Sequence, residues 1–257
     1  MNYFVDEKSI VREIWKRTDT VLLIFAGSAA EFALNKAVDW LYYTGKIPTN
    51  PLERLFSTVE YAQKIIFLEE QMALETIDKI TQIHEGVEQS RGKSIPDWAY
   101  RDVLYMLIDY SIRSFELLER KLELYEKEEI FDVFMKLGIR MNLKNLPPNY
   151  NDWLIDRNIH LINDLEKGKF TIHLFEQYKK HLGSFRYFIL LQIQQILVPK
   201  VVHKKLFTTS YFPTILAIKM YKFSRILNLD NLIKSILLPN KHKQELANIG
   251  KFENIYN

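Results

Sequence analysis

Apolar residues recur along the chain with the three-to-four-residue spacing of amphipathic helices, and no sustained stretch alternates between apolar and polar positions. The pattern predicts a first helix that begins after Ser9 and a second that runs from about residue 19 to 43. Further helices are predicted after Pro51, over 69–89, from Pro96 to about 125, up to Leu137, and over 151–166, 171–182, 185–205, 213–228 and 230–238. We therefore expect an all-α protein of about ten helices, in one domain that spans residues 1–257.

The second predicted helix differs from the others because apolar residues fall on all of its sides, which predicts that it lies buried at the centre of the fold. Its sequence, VLLIFAGSAAEF, contains a patch of small residues from Gly27 to Ala30. Small side chains allow another helix, or a flat ligand, to approach the backbone closely. On pattern alone, tight helix packing is the simpler interpretation of this patch.

The composition supports long helices and narrows the possible chemistry. The 257 residues include only 8 glycines and 8 prolines, too few for the many tight turns of a sandwich or barrel. Cysteine is absent, which excludes disulfides, thiolate zinc sites, iron–sulfur clusters and cysteine nucleophiles. A metal or haem would have to be held by histidine, tyrosine, methionine or carboxylates.

Positive charge is concentrated at the C-terminal end. Residues 199–257 hold 10 Lys/Arg and 3 Asp/Glu, a net charge of +7, which leaves −4 for the first 198 residues of a chain whose total is +3. Such a basic segment is either a solvated surface or a binding surface for an anionic partner. No nucleic-acid recognition motif accompanies it, so no nucleic-acid partner is expected.

Membrane-spanning segments are not predicted. The longest uncharged runs, 187–199 and 206–218, are 13 residues each, whereas a spanning helix needs about 20 residues. The N-terminal sequence MNYFVDEKSIV carries acids where a signal peptide needs a basic region. We expect a cytoplasmic protein whose basic C-terminal helices make peripheral contact with anionic membranes.

Two groups of residues are candidates for chemistry. His84 lies in the middle of a predicted helix beside Ile80, Ile83 and Val87, so it is either a core histidine or a ligand. Arg54 and Thr58 are four residues apart and share one helix face. They either form an exposed helix start, with Arg54 paired to Glu53 or Asp6, or they face an internal pocket.

Four stretches of the chain, in this order, resemble one enzyme family. They are LLIFAGSAAEFAL at 22–34, NPLERLFST at 50–58, IHEGVEQSRGKSIPDWAYRDVLYML at 83–107 and LGIRMNLKNLP at 137–147. The order is similar to that of the catalytic domain shared by rubber oxygenases (latex-clearing proteins) and the MpaB-type oxygenases. The resemblance covers residues 9–205 and is weaker in the basic tail, residues 206–257.

The resemblance implies that the protein binds one haem b. The proximal histidine of the family matches His84, and the Arg-x-x-x-Thr positions that face the haem match Arg54 and Thr58. Ser57 stands where the rubber oxygenases carry a lysine, and Glu31 is the nearest substitute for their distal acid. The porphyrin is expected to lie against Gly27 and Ala30 of the second helix.

The implied reaction is the oxidative cleavage, with O₂, of a carbon–carbon double bond in an isoprenoid or another unsaturated, lipid-like substrate. The polymer-handling extensions of the rubber oxygenases have no counterpart, which favours a small hydrophobic substrate. Two alternatives remain at this point. One is a helical protein that binds haem or lipid without turnover, and the other is a structural protein in which His84 belongs to the core.

Overall fold

The computed structural model describes residues 2–43, 50–207 and 221–222, which form ten helices and no β-strand. The all-α prediction is confirmed. The predicted helices at 213–228 and 230–238, and nearly all of the basic tail, lie outside the described residues. The helices are α1 (Ile10–Lys16), α2 (Thr18–Phe32), α3 (Asp39–Tyr43), α4 (Pro51–Phe67), α5 (Glu70–Arg91), α6 (Asp97–Leu118), α7 (Leu124–Arg140), α8 (Tyr150–Asn163), α9 (Lys169–Leu197) and α10 (Lys200–Leu206).

Helix starts follow the local capping signals of the sequence. The Ser9 hydroxyl caps α1 by accepting a hydrogen bond from the Val11 N–H at 3.1 Å. At α4 the Asn50 side chain accepts from the Glu53 N–H at 3.4 Å and donates back to the Glu53 carboxylate at 2.8 Å. Pro51 occupies the first helical position, where its missing N–H costs no hydrogen bond.

The predicted second helix is interrupted, which the apolar pattern did not indicate. α2 ends at Phe32 and α3 begins at Asp39. In the break, Asn35 Oδ1 accepts a hydrogen bond from the Ala37 N–H at 2.8 Å, and its amide nitrogen donates to the Asp102 carboxylate. This local turn offers the backbone an alternative to the helical ladder, so the helix stops here.

Gly138 does not end its helix, although the sequence predicted an end at Leu137. It lies inside α7, where a Cβ atom would come within 2.7 Å of Leu104 Cδ2, so the glycine permits a close crossing of α6. The predicted break between residues 182 and 185 is present, because Gly183 has the non-helical angles φ 77° and ψ 162° and kinks α9. A further break at Pro199 separates α9 from α10.

The core is built around α2, whose most extensive partner among the described helices is α6. α1 and α9 also pack on α2. Trp15 of α1 is fully buried, donates a hydrogen bond from Nε1 to Ser111 Oγ at 3.1 Å, and meets Phe25 edge to face. The prediction of a buried central second helix is therefore confirmed for residues 18–32.

Over the described ranges, none of the helices combines the length and the apolar character that crossing a bilayer requires. The longest, α9, is 29 residues long, but polar residues and the bend at Gly183 divide its apolar sequence.

Candidate functional site

The interface between α4 and α5 brings together the candidate residues His84 and Arg54. His84 is half-buried, and its ring meets the Tyr100 ring edge to face at 5.3 Å. Burial lowers the pKa of His84, and the positive charge of nearby Arg54 lowers it further. The imidazole is therefore neutral at pH 7, which is the form that binds a metal.

One ring nitrogen of His84 has an unmet hydrogen-bonding requirement. Nδ1 is buried and has no hydrogen bond of normal geometry. The carbonyl of Ile80, one turn earlier in α5, lies close enough to favour the protonated ring. A histidine that ligates a metal through one nitrogen usually donates the other N–H to such an acceptor.

Arg54 has an unusual environment for a cation. Its side chain is half-buried, and burial lowers its pKa. Across the described part of the chain it forms no ion pair or side-chain hydrogen bond; Glu53 bonds to Asn50, and Asp6 accepts from the Lys8 N–H. The exposed pairing of Arg54 with Glu53 or Asp6 is therefore not formed, and a partly desolvated cation faces His84 without a carboxylate.

Thr58 lies on the same helix as Arg54, and its hydroxyl proton is already used. Thr58 Oγ1 donates to the Arg54 carbonyl at 3.0 Å, and Ser57 Oγ donates to the same carbonyl at 2.9 Å. Such bonds back to the preceding turn are common for Ser and Thr in helices. In this conformation Thr58 offers lone pairs to a ligand, and it becomes a donor to that ligand only when its hydroxyl proton rotates about the Cβ–Oγ1 bond away from the Arg54 carbonyl.

Glu31 lies elsewhere, at the junction of α2, α6 and α8. It is fully buried, and Arg157 binds it in a bidentate ion pair with Nη1–Oε1 2.5 Å and Nη2–Oε2 2.7 Å. The Tyr110 hydroxyl donates to Oε2 at 2.9 Å. With three donors Glu31 is satisfied by the protein, so its assignment as a distal acid beside Arg54 and Thr58 finds no support in the geometry.

Arg157 joins Glu31 to two further buried acids. It lies 3.3 Å from Asp102 and 3.1 Å from Asp109, and Arg113 binds Asp109 at 2.7 Å from the edge of the cluster. Three carboxylates thus face two guanidinium groups. Burial and the negative charge of Glu31 raise the pKa of Asp102 to about 7, against the opposing effect of Arg157.

The small-residue patch of α2 is filled by protein. A Cβ atom on Gly27 would lie 2.3 Å from Tyr110 Cδ1, so the absence of a side chain lets the Tyr110 ring pack directly on the helix backbone. Ala30 is also fully buried. Helix packing therefore accounts for Gly27, and the space predicted for a porphyrin on this face is occupied by Tyr110.

His160 is more deeply buried than the half-buried His84. Its Nδ1 lies 2.6 Å from the Asp164 carboxylate but, like His84 Nδ1, makes no hydrogen bond of normal geometry, and its ring meets Tyr105 edge to face. The Tyr105 hydroxyl donates to Asp156 at 2.7 Å, and burial lowers the pKa of His160. His160 is thus held in a polar packing arrangement that gives it less freedom to bind a ligand than His84 has.

Sequence reasoning missed the ion-pair cluster, although one signal was present. Asp109 interrupts the otherwise apolar run YMLIDYSI, and a charge on the buried face of a helix requires a partner. No pattern indicates that the partner is Arg157, which lies 48 residues further along the chain.

Within the described ranges no three histidine or acidic side chains come together as a metal site. A haem needs only one axial ligand from the protein, so this finding does not bear on His84. Comparisons of the chain with protein-family models, with curated proteins and with solved structures find no match.

Proposed function

We propose that the protein is a haem b-dependent oxygenase that binds the haem iron through His84 and cleaves a carbon–carbon double bond of a small, lipid-like substrate. The observation that carries the proposal is the pairing of a buried, unbonded His84 Nδ1 with a partly desolvated Arg54 that has no carboxylate partner in the described structure. The sequence resemblance to the rubber and MpaB-type oxygenases motivates the choice of haem.

The residues at the α4–α5 interface fit such a group in two respects. His84 is a neutral imidazole with a backbone acceptor, the Ile80 carbonyl, near its ring. Arg54 supplies a positive charge that a haem propionate would neutralise in a charge-assisted hydrogen bond. The α2 patch does not contribute to this fit, because Tyr110 fills the space beside Gly27.

Each residue has a distinct task in the proposed reaction. His84 holds the iron, and the Ile80 carbonyl orients its ring. Arg54 binds a carboxylate and places positive charge beside the reacting region. The haem, when bound, supplies the redox chemistry of O₂. The overall reaction is balanced by one O₂, because cleavage of C=C yields two carbonyl groups that retain both oxygen atoms.

The first experiment is an absorption spectrum of the protein purified from cells supplied with a haem precursor. We expect a Soret band with about one haem per chain, and His84→Ala should abolish it. His173→Ala is the matched control, since His173 is also half-buried but already contacts Tyr42 and Gln177 at 2.9 and 3.1 Å. Circular dichroism checks that both variants remain helical.

Two results would overturn the proposal. A wild-type protein that never takes up haem leaves a helical protein that binds lipid or serves a structural role. A His84→Ala protein with a full Soret band assigns the iron to another residue, and His160 is the next to test.

If haem binds, turnover tests the role of Thr58. Thr58→Ala should retain haem but slow O₂-dependent turnover about 10²-fold, the typical effect of losing one polar group at a reacting centre. Thr76→Ala is the control, because Thr76 makes the same backward hydrogen bond, to the Met72 carbonyl, on an exposed helix surface. Equal rates in both variants would remove Thr58 from the site.

A further inference from the structure

The bend in α9 presents an exposed aromatic corner. Gly183, Ser184 and Phe185 are consecutive exposed residues, and a Cβ atom on Gly183 would meet nothing within 4 Å, so the corner faces open space. Phe185 is 64% exposed and Phe188 is 60% exposed. The two are three residues apart, so both rings lie on one face of the helix that follows the bend.

Lysines lie beside this corner in the sequence. From residue 177 to residue 199 no Asp or Glu occurs, and the charged positions are Lys179, Lys180 and Arg186. Lys179 and Lys180, just before the bend, are exposed. The nearest acid along the chain is the exposed Glu176, one turn before Lys180.

We infer that the corner formed by Lys179, Lys180, Phe185 and Phe188 docks the protein on the surface of an anionic lipid bilayer. Exposed aromatic rings enter the boundary between headgroups and acyl chains, while neighbouring lysines attract anionic headgroups. An anionic bilayer therefore complements both the exposed aromatic rings and the lysines of the corner. The inference does not depend on haem binding at His84.

A second copy of the chain fits this surface less well. In a two-fold symmetric dimer the same patch faces itself, so the lysines of both copies would be brought together. A comparison surface exists on α8, where Ile155 is 63% exposed and Ile159 is 47% exposed. That stripe lies on a helix whose exposed charged residue is the acidic Asp152, so it is not complementary to an anionic bilayer.

The test measures binding of the full chain to vesicles by co-sedimentation. We expect binding to vesicles of phosphatidylcholine mixed with phosphatidylserine at low salt, and little binding to phosphatidylcholine alone. Roughly 1 M salt, where the Debye length is about 3 Å, should weaken the binding. F185S/F188S should lower the partition coefficient about tenfold per phenylalanine, and K179Q/K180Q about fivefold per lysine.

I155S/I159S is the matched control, because it removes two comparably exposed apolar side chains from a helix whose own exposed charged residue is acidic. It should bind the mixed vesicles like the wild type. The inference fails if the wild type does not bind them at low salt, or if F185S/F188S binds as well as I155S/I159S. It also fails if light scattering shows that F185S/F188S converts a dimer into a monomer, because a second copy then occupies the corner.

Discussion

Arg157 and Glu31 form a bidentate ion pair across 126 residues of sequence, and both side chains are almost completely removed from solvent. Around them lie Asp102 and Asp109, so the guanidinium is the main charge that compensates three buried carboxylates. Taking charges out of water is costly, and the good geometry of this pair recovers only part of the cost, because Arg157 Nε is buried without a hydrogen bond. The helices α2, α6 and α8 are therefore tied together at one point in the core.

Removing Arg157 should strongly destabilise the protein. Arg157→Met leaves three carboxylates buried without their main partner, and we expect a loss of about 3–5 kcal/mol in the free energy of unfolding. Urea unfolding followed by circular dichroism measures the loss.

Arg140→Met is the control for that measurement. Arg140 binds Asp78 with the same bidentate arrangement, at 2.8 and 2.5 Å, but both side chains are more than 40% exposed. An exposed pair contributes about 1 kcal/mol or less. Equal losses in the two variants would contradict the account of Arg157 as the charge that holds the cluster together.

The contribution of Asp102 to stability should fall as pH rises from about 4 to 7. Asp102 has a pKa raised to about 7 in the folded protein, well above the usual value of 3.8. Between these values the folded state binds more protons than the unfolded state, so the folded state gains stability at acid pH and loses it as Asp102 ionises.

Asp102→Asn removes this titration while keeping an acceptor for Asn35. Between about pH 4 and 7, the free energy of unfolding of the wild type, measured in urea, should fall relative to that of Asp102→Asn. If the free energies of unfolding of the two proteins change in parallel with pH, the proton that the folded state binds resides on another residue of the cluster.

Gly27 should be essential to the packing of α2 on α6. Gly27→Ala places a methyl group where Tyr110 Cδ1 lies 2.3 Å away, and both helices would have to shift. Overpacking of this kind costs about 1–3 kcal/mol. Thermal and urea unfolding should both show the loss.

Gly86→Ala should have the opposite effect on the stability of the protein. Gly86 lies inside α5, and a Cβ atom there would meet nothing within 4 Å. Alanine is favoured over glycine in helices by about 1 kcal/mol, so this variant should be slightly more stable than the wild type.

A stabilising Gly27→Ala would mean that Tyr110 can move aside and that the patch is open to a ligand.

In the haem-free protein, the positive charge of Arg54 should help to keep His84 neutral. Burial is the main cause that lowers the pKa of His84, and the charge of Arg54 is the next. Arg54→Gln should raise this pKa toward the ordinary value without restoring it fully, as read from the pH titration of the imidazole resonance by nuclear magnetic resonance. His160 serves as an internal reference, because Arg54 is not among the groups that shift its pKa.

Local chemistry determined much of the fold from the sequence alone. Ser9 and the Asn50–Pro51 pair mark helix starts because a cap acts on N–H groups within one turn of itself, and Pro96 marks another although no side chain caps it. Residues 21–32 could be identified as the central helix, because apolar residues lie on all of its sides and such a helix is stable only when it is buried. His84 and Arg54 were also recognisable as unusual, since each interrupts an apolar helix face.

Tertiary structure decided the rest, because it depends on contacts between residues that are distant in sequence. The break after Phe32 forms where Asn35 can bond to Asp102, 67 residues away, and Gly138 stays helical because its bare backbone admits Leu104. Glu31 was assigned to a reacting site by its position in the chain, whereas packing places it against Arg157. An ion pair between two helices is set by how those helices cross, and no periodicity within either helix records that angle.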